Sequence, residues 1–469
     1  MPHARRSTYP SRTSLLATLL AACLSLPFSA AIAKPATQKW VATWGQSMTS
    51  NYVQITGSDG KPALDAYGQP LDQVATVEHV TLRQAVNVST GGERVRIRLS
   101  NYYGRTPLIV SAARIALGAS QANDLSAIEP VSDKKLSFDG GKPSITLAPG
   151  SEAVSDPVEL HVPALSNVVV SLYFAAPTQL ADFHPMEQAH TTYAVDGDAM
   201  QQPSLAQQAA AKALPHTKDD DHIYLLDAVE VEVPASTRGI VAFGDSITDG
   251  ALASAPTASW PAVLARVAQQ KGEAAAVVNA GISADELTTD QIGSPGAGTS
   301  GLKRYLRDVV DRPGVTDVVV LFGANDINRG IDAAGYPNGA SAGDLIASMR
   351  MLADVAHRHH LRIYAATVTP FAGFPGWYSP QREAVRLQVN QWIRHSGAFD
   401  GVVDFADGVA GTYAPPPLVA KQSPLPVGMA TVCAGDAGLH PNDRGYAVMG
   451  TLAYDALFHA KLQAPQGCH

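Results

Sequence analysis

Two kinds of hydrophobic spacing divide this chain. Between residues 39 and 235 apolar and polar positions alternate in short runs. Residues 80–88 alternate, and residues 94–100 do so more cleanly, placing Val95, Ile97 and Leu99 on one face. Gly91-Gly92 between these runs is a hairpin signal. Residues 167–174 form a further apolar run, and turn clusters such as Asp139-Gly140-Gly141 and Pro149-Gly150 recur. Period-2 strands punctuated in this way predict an all-β sandwich or jelly roll. The stretch 201–221, rich in Gln and Ala and then acidic, reads as an excursion from it.

After Arg238 the spacing changes. Short apolar runs at 239–243, 274–278, 317–322, 362–369 and 402–405 read as buried strands. Helical spacing lies between them, at 260–268 with Pro261 in the first turn, at 344–360 and at 381–396; a further helix is predicted at 444–461. In 344–360 the buried face is Leu345, Ile346, Met349, Leu352 and Ala356. Strands alternating with helices predict a doubly wound parallel sheet. The expected organisation is a β-rich accessory domain over 34–235 and an α/β domain over 236–469.

The first 33 residues belong to neither pattern. Arg5, Arg6 and Arg12 form a basic start, 15–28 is apolar, and Ala31-Ile32-Ala33 is a small-x-small site, together the pattern of an export signal. The expectation is cleavage after Ala33 and a secreted or periplasmic protein, with no later run apolar enough to span a bilayer. Leu20-Ala21-Ala22-Cys23 also matches a lipoprotein box, but the apolar stretch continues to Ile32, which favours the later cut. Loss of the leader removes three arginines and no acid, moving the net charge from −8 to −11. Such an acidic protein is not expected to bind nucleic acid or acidic polymers by charge. Cys433 and Cys468 remain as an even pair, and in an oxidising compartment they are expected to form one disulfide.

Four segments carry candidate chemistry. Gly244-Asp245-Ser246 follows the strand at 239–243. Asn279-Ala280-Gly281-Ile282-Ser283 and Gly323-Ala324-Asn325-Asp326 follow the next two strands, and Gly438-Leu439-His440-Pro441-Asn442 precedes the last helix. Strand ends in open α/β sheets are where catalytic groups collect. A serine hydroxyl needs a base, which His440 can supply. An oxyanion needs preorganised donors, here the N–H groups of Ser246 and Gly281 and the side-chain amide of Asn325. His357, His359 and His360 sit at one helix end with no carboxylate or cysteine in ligand register, so no metal is expected there. Phe371, Phe374, Trp377 and Tyr378 follow a strand end; they read equally as a substrate wall or as loop packing.

In order and type these four segments resemble the GDSL, or SGNH, hydrolase family, whose letters map onto Ser246, Gly281, Asn325 and His440. The resemblance covers roughly residues 236–460. Trp40 to Gln46 and residues 81–84 look like the accessory domain of some secreted members. The family usually places an Asp three residues before the His. Here that position is Ala437, and Asp436 stands one residue further away. Either Asp436 orients the imidazole, or a backbone carbonyl does and the site is a dyad. Asp245 reads as structural. The resemblance implies an exported serine ester hydrolase without metal or organic cofactor. Its expected substrate is a short-acyl ester, favouring O-acetyl groups on carbohydrate such as acetylated polysaccharide. The rival readings are a lipase-like enzyme for longer chains, a non-catalytic carbohydrate-binding protein and an acyltransferase.

Overall fold

The computed structural model describes residues 37–462, except 58–59, 66–68, 120–123, 186–190, 207–221, 291–297, 330–338, 412–429, 432–435 and 437. The expected leader with Cys23, most of the 201–221 excursion, and both Cys433 and Cys468 lie outside the described residues. Along the first half of the chain the main strands are β1 (Gln38–Gly45), β2 (Thr49–Ser50), β3 (Val80–Asn87), β4 (Gly92–Asn101), β5 (Ala112–Leu117) and β6 (Lys134–Leu136). They continue with β7 (Ser151–Val154), β8 (Val158–Val162), β9 (Asn167–Phe174), β10 (Asp182–Pro185), β11 (Thr192–Asp196), β12 (His222–Tyr224) and β13 (Leu226–Pro234).

These strands build two antiparallel sheets. One runs β1-β13-β4-β7, with β8 also pairing on β4; the other runs β6-β5-β9-β3-β11. Period-2 alternation explains why they stack. Val95, Ile97 and Leu99 of β4 are fully buried in one core with Leu82 of β3 and Val168, Val170 and Leu172 of β9. The opposite face of β4 carries Arg96 and Arg98, which pair at 2.6 and 3.0 Å with Glu230 of β13. Glu230 is buried, and two guanidinium partners offset the cost of removing its charge from water. A smaller sheet, β12-β10-β2, lies beyond them.

From Arg238 the chain forms β14 (Arg238–Gly244), β15 (Ala275–Gly281), β16 (Asp317–Leu321), β17 (Arg362–Ala366) and β18 (Gly401–Val403). They are parallel, in the spatial order β15-β14-β16-β17-β18. The chain therefore leaves β14 toward one edge and returns to build the other, so a switch point lies between β14 and β16. The helices are α1 (Ser246–Asp249), α2 (Trp260–Gln270), α3 (Gly301–Tyr305), α4 (Ala324–Asn328), α5 (Ala342–Arg358), α6 (Pro380–His395), α7 (Phe405–Val409) and α8 (Asp443–Phe458). Helix α5 starts from a capping box between Ser341 and Asp344 and buries Leu345, Met349, Leu352 and Ala356. The fold is thus α/β, a doubly wound parallel sheet preceded by an all-β sandwich.

Three details differ from the periodicity, the first being that the strand read over 362–369 ends at Ala366. The last strand stops at Val403, because the Asp404 side chain caps α7 and Phe405 becomes its first residue. Helix α3, which widens over Leu306–Val310, is absent from the hydrophobic pattern because charged Arg304 and Asp308 share its buried face with Tyr305 and Val309. Arg304, Asp308 and Arg312 are all nearly inaccessible. Their partners include the antiparallel part: Arg312 pairs with Asp227 and donates to Gln46 O at 2.8 Å, and neighbouring Arg307 donates to Met48 O at 3.2 Å. Along the same seam Ala42 and Ala228 pack on Val278, and Val277 N–H donates to Ser89 Oγ at 2.9 Å. Among the described residues no helix is long and apolar enough to cross a membrane.

Candidate active site

The end of β14 is shaped by the absence of a side chain. A Cβ on Gly244 would lie 2.1 Å from Thr248 Oγ1 and 2.6 Å from Leu321 O, so only glycine lets the chain turn against β16 here. Asp245 then caps α1 by accepting from Ile247 N–H at 3.0 Å. It is fully enclosed, and burial pushes its carboxyl up to about 7 against the opposing pull of Ile247 N–H and His440. Ser246 becomes the first residue of α1. Among the described residues no acceptor takes its backbone N–H, as expected for an orphan donor at a helix start.

Two long-range neighbours complete a chain of hydrogen bonds. Ser246 Oγ lies 2.9 Å from His440 Nε2, and His440 Nδ1 lies 2.7 Å from Asp436 Oδ2. The other oxygen of Asp436 accepts from the N–H groups of Gly438, Leu439 and His440, at 3.1, 2.9 and 3.1 Å. The carboxylate thus wraps its own loop around itself, which is how an acid four residues before the histidine reaches the ring. Gly438, at φ 99°, supplies the left-handed turn this requires. Burial opposes the charge on Asp436, but the ring bond and the backbone donors outweigh it and hold its carboxyl below the usual value. An ionised Asp436 accepts the proton on Nδ1, leaving Nε2 as the acceptor facing Ser246.

Asn325 sits at the second position of α4, after Gly323 at φ 124°. Its Nδ2 donates to Asp285 O at 2.9 Å, linking the ends of β15 and β16, and an amide nitrogen has a second proton to offer. Buried Asp326 holds the same loop by accepting from the N–H groups of Leu287 and Thr288 at 3.0 and 2.9 Å. Arg304 closes the arrangement from below. Its guanidinium binds Gly244 O at 2.9 Å, Ala280 O at 2.9 Å and Asp285 Oδ2 at 2.8 Å, tying the ends of β14 and β15 together.

Gly281 is placed differently from the expectation. Its N–H donates to Asn279 Oδ1 at 2.9 Å, while Asn279 Nδ2 donates to the carbonyls of Thr248 and Asp249. A Cβ on Gly281 would lie 2.2 Å from Asp249 N, so glycine here serves the close approach of β15 to α1. Three residues on, Ala284 is exposed, adopts φ 63° and has an N–H that no described residue accepts. A left-handed alanine costs about 1–2 kcal/mol, so the loop is held by its surroundings. Nothing in an alanine signals this in the sequence. Arg304 was equally silent, since an arginine in a polar stretch reads as surface.

The aromatic loop contributes one wall. Phe371 is buried, Trp377 packs on Phe371 and Phe374, and the Phe374 ring meets His440 edge to face at 6.4 Å between centroids. His357 instead pairs with Asp400 at 3.0 Å, at the far end of α5.

The GDSL-like lipase/acylhydrolase family matches residues 242–448. Among solved structures, the lipase/acylhydrolase from Enterococcus faecalis is 21% identical, over 49% of this chain and 100% of that one, with a TM-score of 0.34. The aryl esterase of M. smegmatis is 16% identical, over 47% and 97%, also at 0.34. A Corynascus thermopiles (Myceliophthora fergusii) carbohydrate esterase family 2 enzyme with its carbohydrate-binding domain is 14% identical, over 87% and 98%, again at 0.34. No curated protein gives a match. Residues 242–448 are a GDSL-like lipase/acylhydrolase domain, and the chain that carries it is a carboxylic ester hydrolase.

Proposed function

We propose that this chain is an exported serine esterase that removes short acyl groups, O-acetyl groups on carbohydrate above all, through an acyl-enzyme. The observation that carries the mechanism is the unbroken line from Ser246 Oγ to His440 Nε2 and from His440 Nδ1 to Asp436. Ser246 attacks the ester carbonyl while His440 takes its proton and later passes it to the leaving alkoxide; Asp436 orients the ring and stabilises its cation. Water, deprotonated by the same histidine, then releases the acid and frees Ser246. The developing oxyanion is stabilised by Ser246 N–H, by the free proton of the Asn325 amide and by an N–H from the 281–285 loop. Since Gly281 N–H already serves Asn279, Ala284 N–H suits that third place. Preorganised donors of this kind are worth about 3 kcal/mol each.

What supports a small acyl group is the wall beside His440, a compact aromatic cluster of Phe374 and Trp377 suited to a short chain. Exposed Tyr378 follows it, an aromatic face that suits a sugar ring. The acidic surface favours a neutral ester over an anionic one. Export rests on the leader expected over 1–33. A chain-length series of p-nitrophenyl esters, run beside acetylated xylan and pectin with released acetate measured, tests this reading. The expectation is fastest turnover for acetate and propionate esters, with acetate released from at least one polysaccharide. Rates that climb through octanoate would place the enzyme with long-chain lipases instead.

A further inference from the structure

The nucleophile helix is too short to hold its own direction. It has four residues, and a single helical turn has no stability in isolation. Its first end is fixed by Asp245. Its last residue, Asp249, is fully buried, and its side chain leaves the α/β domain. Asp249 Oδ1 lies 3.2 Å from Nε2 of His184, a residue of β10 in the antiparallel part. His184 is also fully buried, and its other nitrogen, Nδ1, donates to Ser47 O at 2.9 Å. The second oxygen of Asp249 accepts from Ser283 Oγ at 2.8 Å, on the loop that carries Ala284 and the Asp285 carbonyl bound by Asn325. One carboxylate therefore joins the end of α1, a strand of the β layer and the loop opposite Ser246.

We propose that His184 is a positioning residue of the ester-hydrolysing site, and that the antiparallel layer is thereby part of the catalytic framework and not a separable binding module. The proposal rests on the reading of Ser246 as nucleophile. Nδ1 of His184 donates to the Ser47 carbonyl, and Nε2 faces the Asp249 carboxylate. Burial alone would strip the proton, but the Asp249 carboxylate and the Ser47 carbonyl outweigh it and raise the pKa above the usual histidine value. Removing Nε2 takes one buried hydrogen-bond partner from the Asp249 carboxylate, so the side chain turns to replace it. That change releases the end of α1. Ser47 extends the same tie, because its Oγ accepts from Arg304 at 3.0 Å, and Arg304 holds Gly244 O and Ala280 O. A shift of Ser246 by about 1 Å relative to His440 is enough to lower turnover by about a hundredfold.

Two substitutions separate positioning from bulk. His184→Asn retains a donor toward Ser47 O but cannot reach Asp249, whereas the longer amide of His184→Gln places a donor near the position of Nε2. With p-nitrophenyl acetate, His184→Asn is expected to lower kcat by about tenfold or more with KM nearly unchanged, and His184→Gln to recover most of it. The rate of fluorophosphonate labelling at Ser246 should fall in parallel. A folded His184→Asn protein, judged by its thermal transition, that keeps wild-type kcat overturns the proposal. So does a loss confined to KM, or a His184→Gln enzyme as impaired as the Asn variant. Should His184→Asn fail to fold, Ser283→Ala decides. It removes the outer bond to Asp249 at a less buried position, and kcat should fall about threefold at constant KM; an unchanged kcat counts against positioning through Asp249. If wild-type protein is labelled at a serine other than Ser246, it is the underlying reading of the nucleophile that fails.

Discussion

Replacing Asp436 by Asn separates the two tasks this carboxylate performs. One oxygen holds three backbone N–H groups, the other holds His440 Nδ1. An Asn side chain has a single acceptor. The backbone donors are fixed in the turn, so the amide oxygen stays with them and the NH2 group faces the ring. Two donors then meet unless the imidazole moves its proton to Nε2, and a proton on Nε2 leaves Ser246 without a base. The expected loss in kcat is on the order of 10⁴, about 5.5 kcal/mol of transition-state stabilisation, as for triad acids in general. The thermal transition should fall only modestly, because the backbone bonds persist while the charge-assisted contribution is lost. Asp436→Ala should lose activity and also loosen the loop. The sign of the pH effect is fixed by the lowered carboxyl pKa. Asp436 contributes stability above the unfolded value near 4, and that contribution is lost only as pH falls through the still lower folded value. Protonation of Asp436 therefore cannot account for activity lost near pH 6. Steady-state kinetics on p-nitrophenyl acetate between pH 5 and 9, with calorimetry on the same samples, provide the assay. An Asn variant within about tenfold of wild type would show that another group orients His440.

Other substitutions probe the remaining parts. Ser246→Ala should abolish turnover and phosphonate labelling together; labelling that persists elsewhere removes Ser246 from its role. Asn325→Ala should cut kcat by about 10²–10³ with little change in KM, and an effect on KM alone would make the amide a substrate binder. Arg304→Met strips the shared cation from buried Asp285 and Asp308 and should cost about 3–5 kcal/mol in denaturant unfolding; a loss below 1 kcal/mol would mean their other partners suffice. Asp245→Asn keeps the cap to Ile247 but removes a carboxyl whose folded pKa, about 7, lies above its unfolded value. A raised acid loses its stabilising contribution as pH climbs from about 4 to about 7, so the Asn variant should gain on wild type across that window and run parallel above it. A stability difference that does not vary with pH contradicts the buried, proton-retaining Asp245.

The parallel sheet was legible because its strands are continuous apolar runs and its helices repeat at helical spacing, both local properties. Ser246, Asn325 and His440 were legible as candidates for a related reason: each stands at a strand end or helix start, where backbone geometry already tells a side chain which way to face. Asp436 could be named only as a candidate, since reaching the ring depends on a loop that folds around the carboxylate itself. Gly281 illustrates the reverse. A glycine at a strand end invites reading as a donor to substrate, yet its N–H is taken by Asn279 and its missing side chain makes room for α1.

Local pattern thus determined the two fold types and the strand ends at which chemistry could stand. Tertiary structure alone decided what holds those ends in register. Arg304 and His184 reach the site from a helix disguised by buried charges and from a strand 62 residues before Ser246. Neither has a periodic signature, because the free energy of a buried ion pair depends on which partners the fold brings within about 3 Å, and spacing along the chain carries no record of that distance.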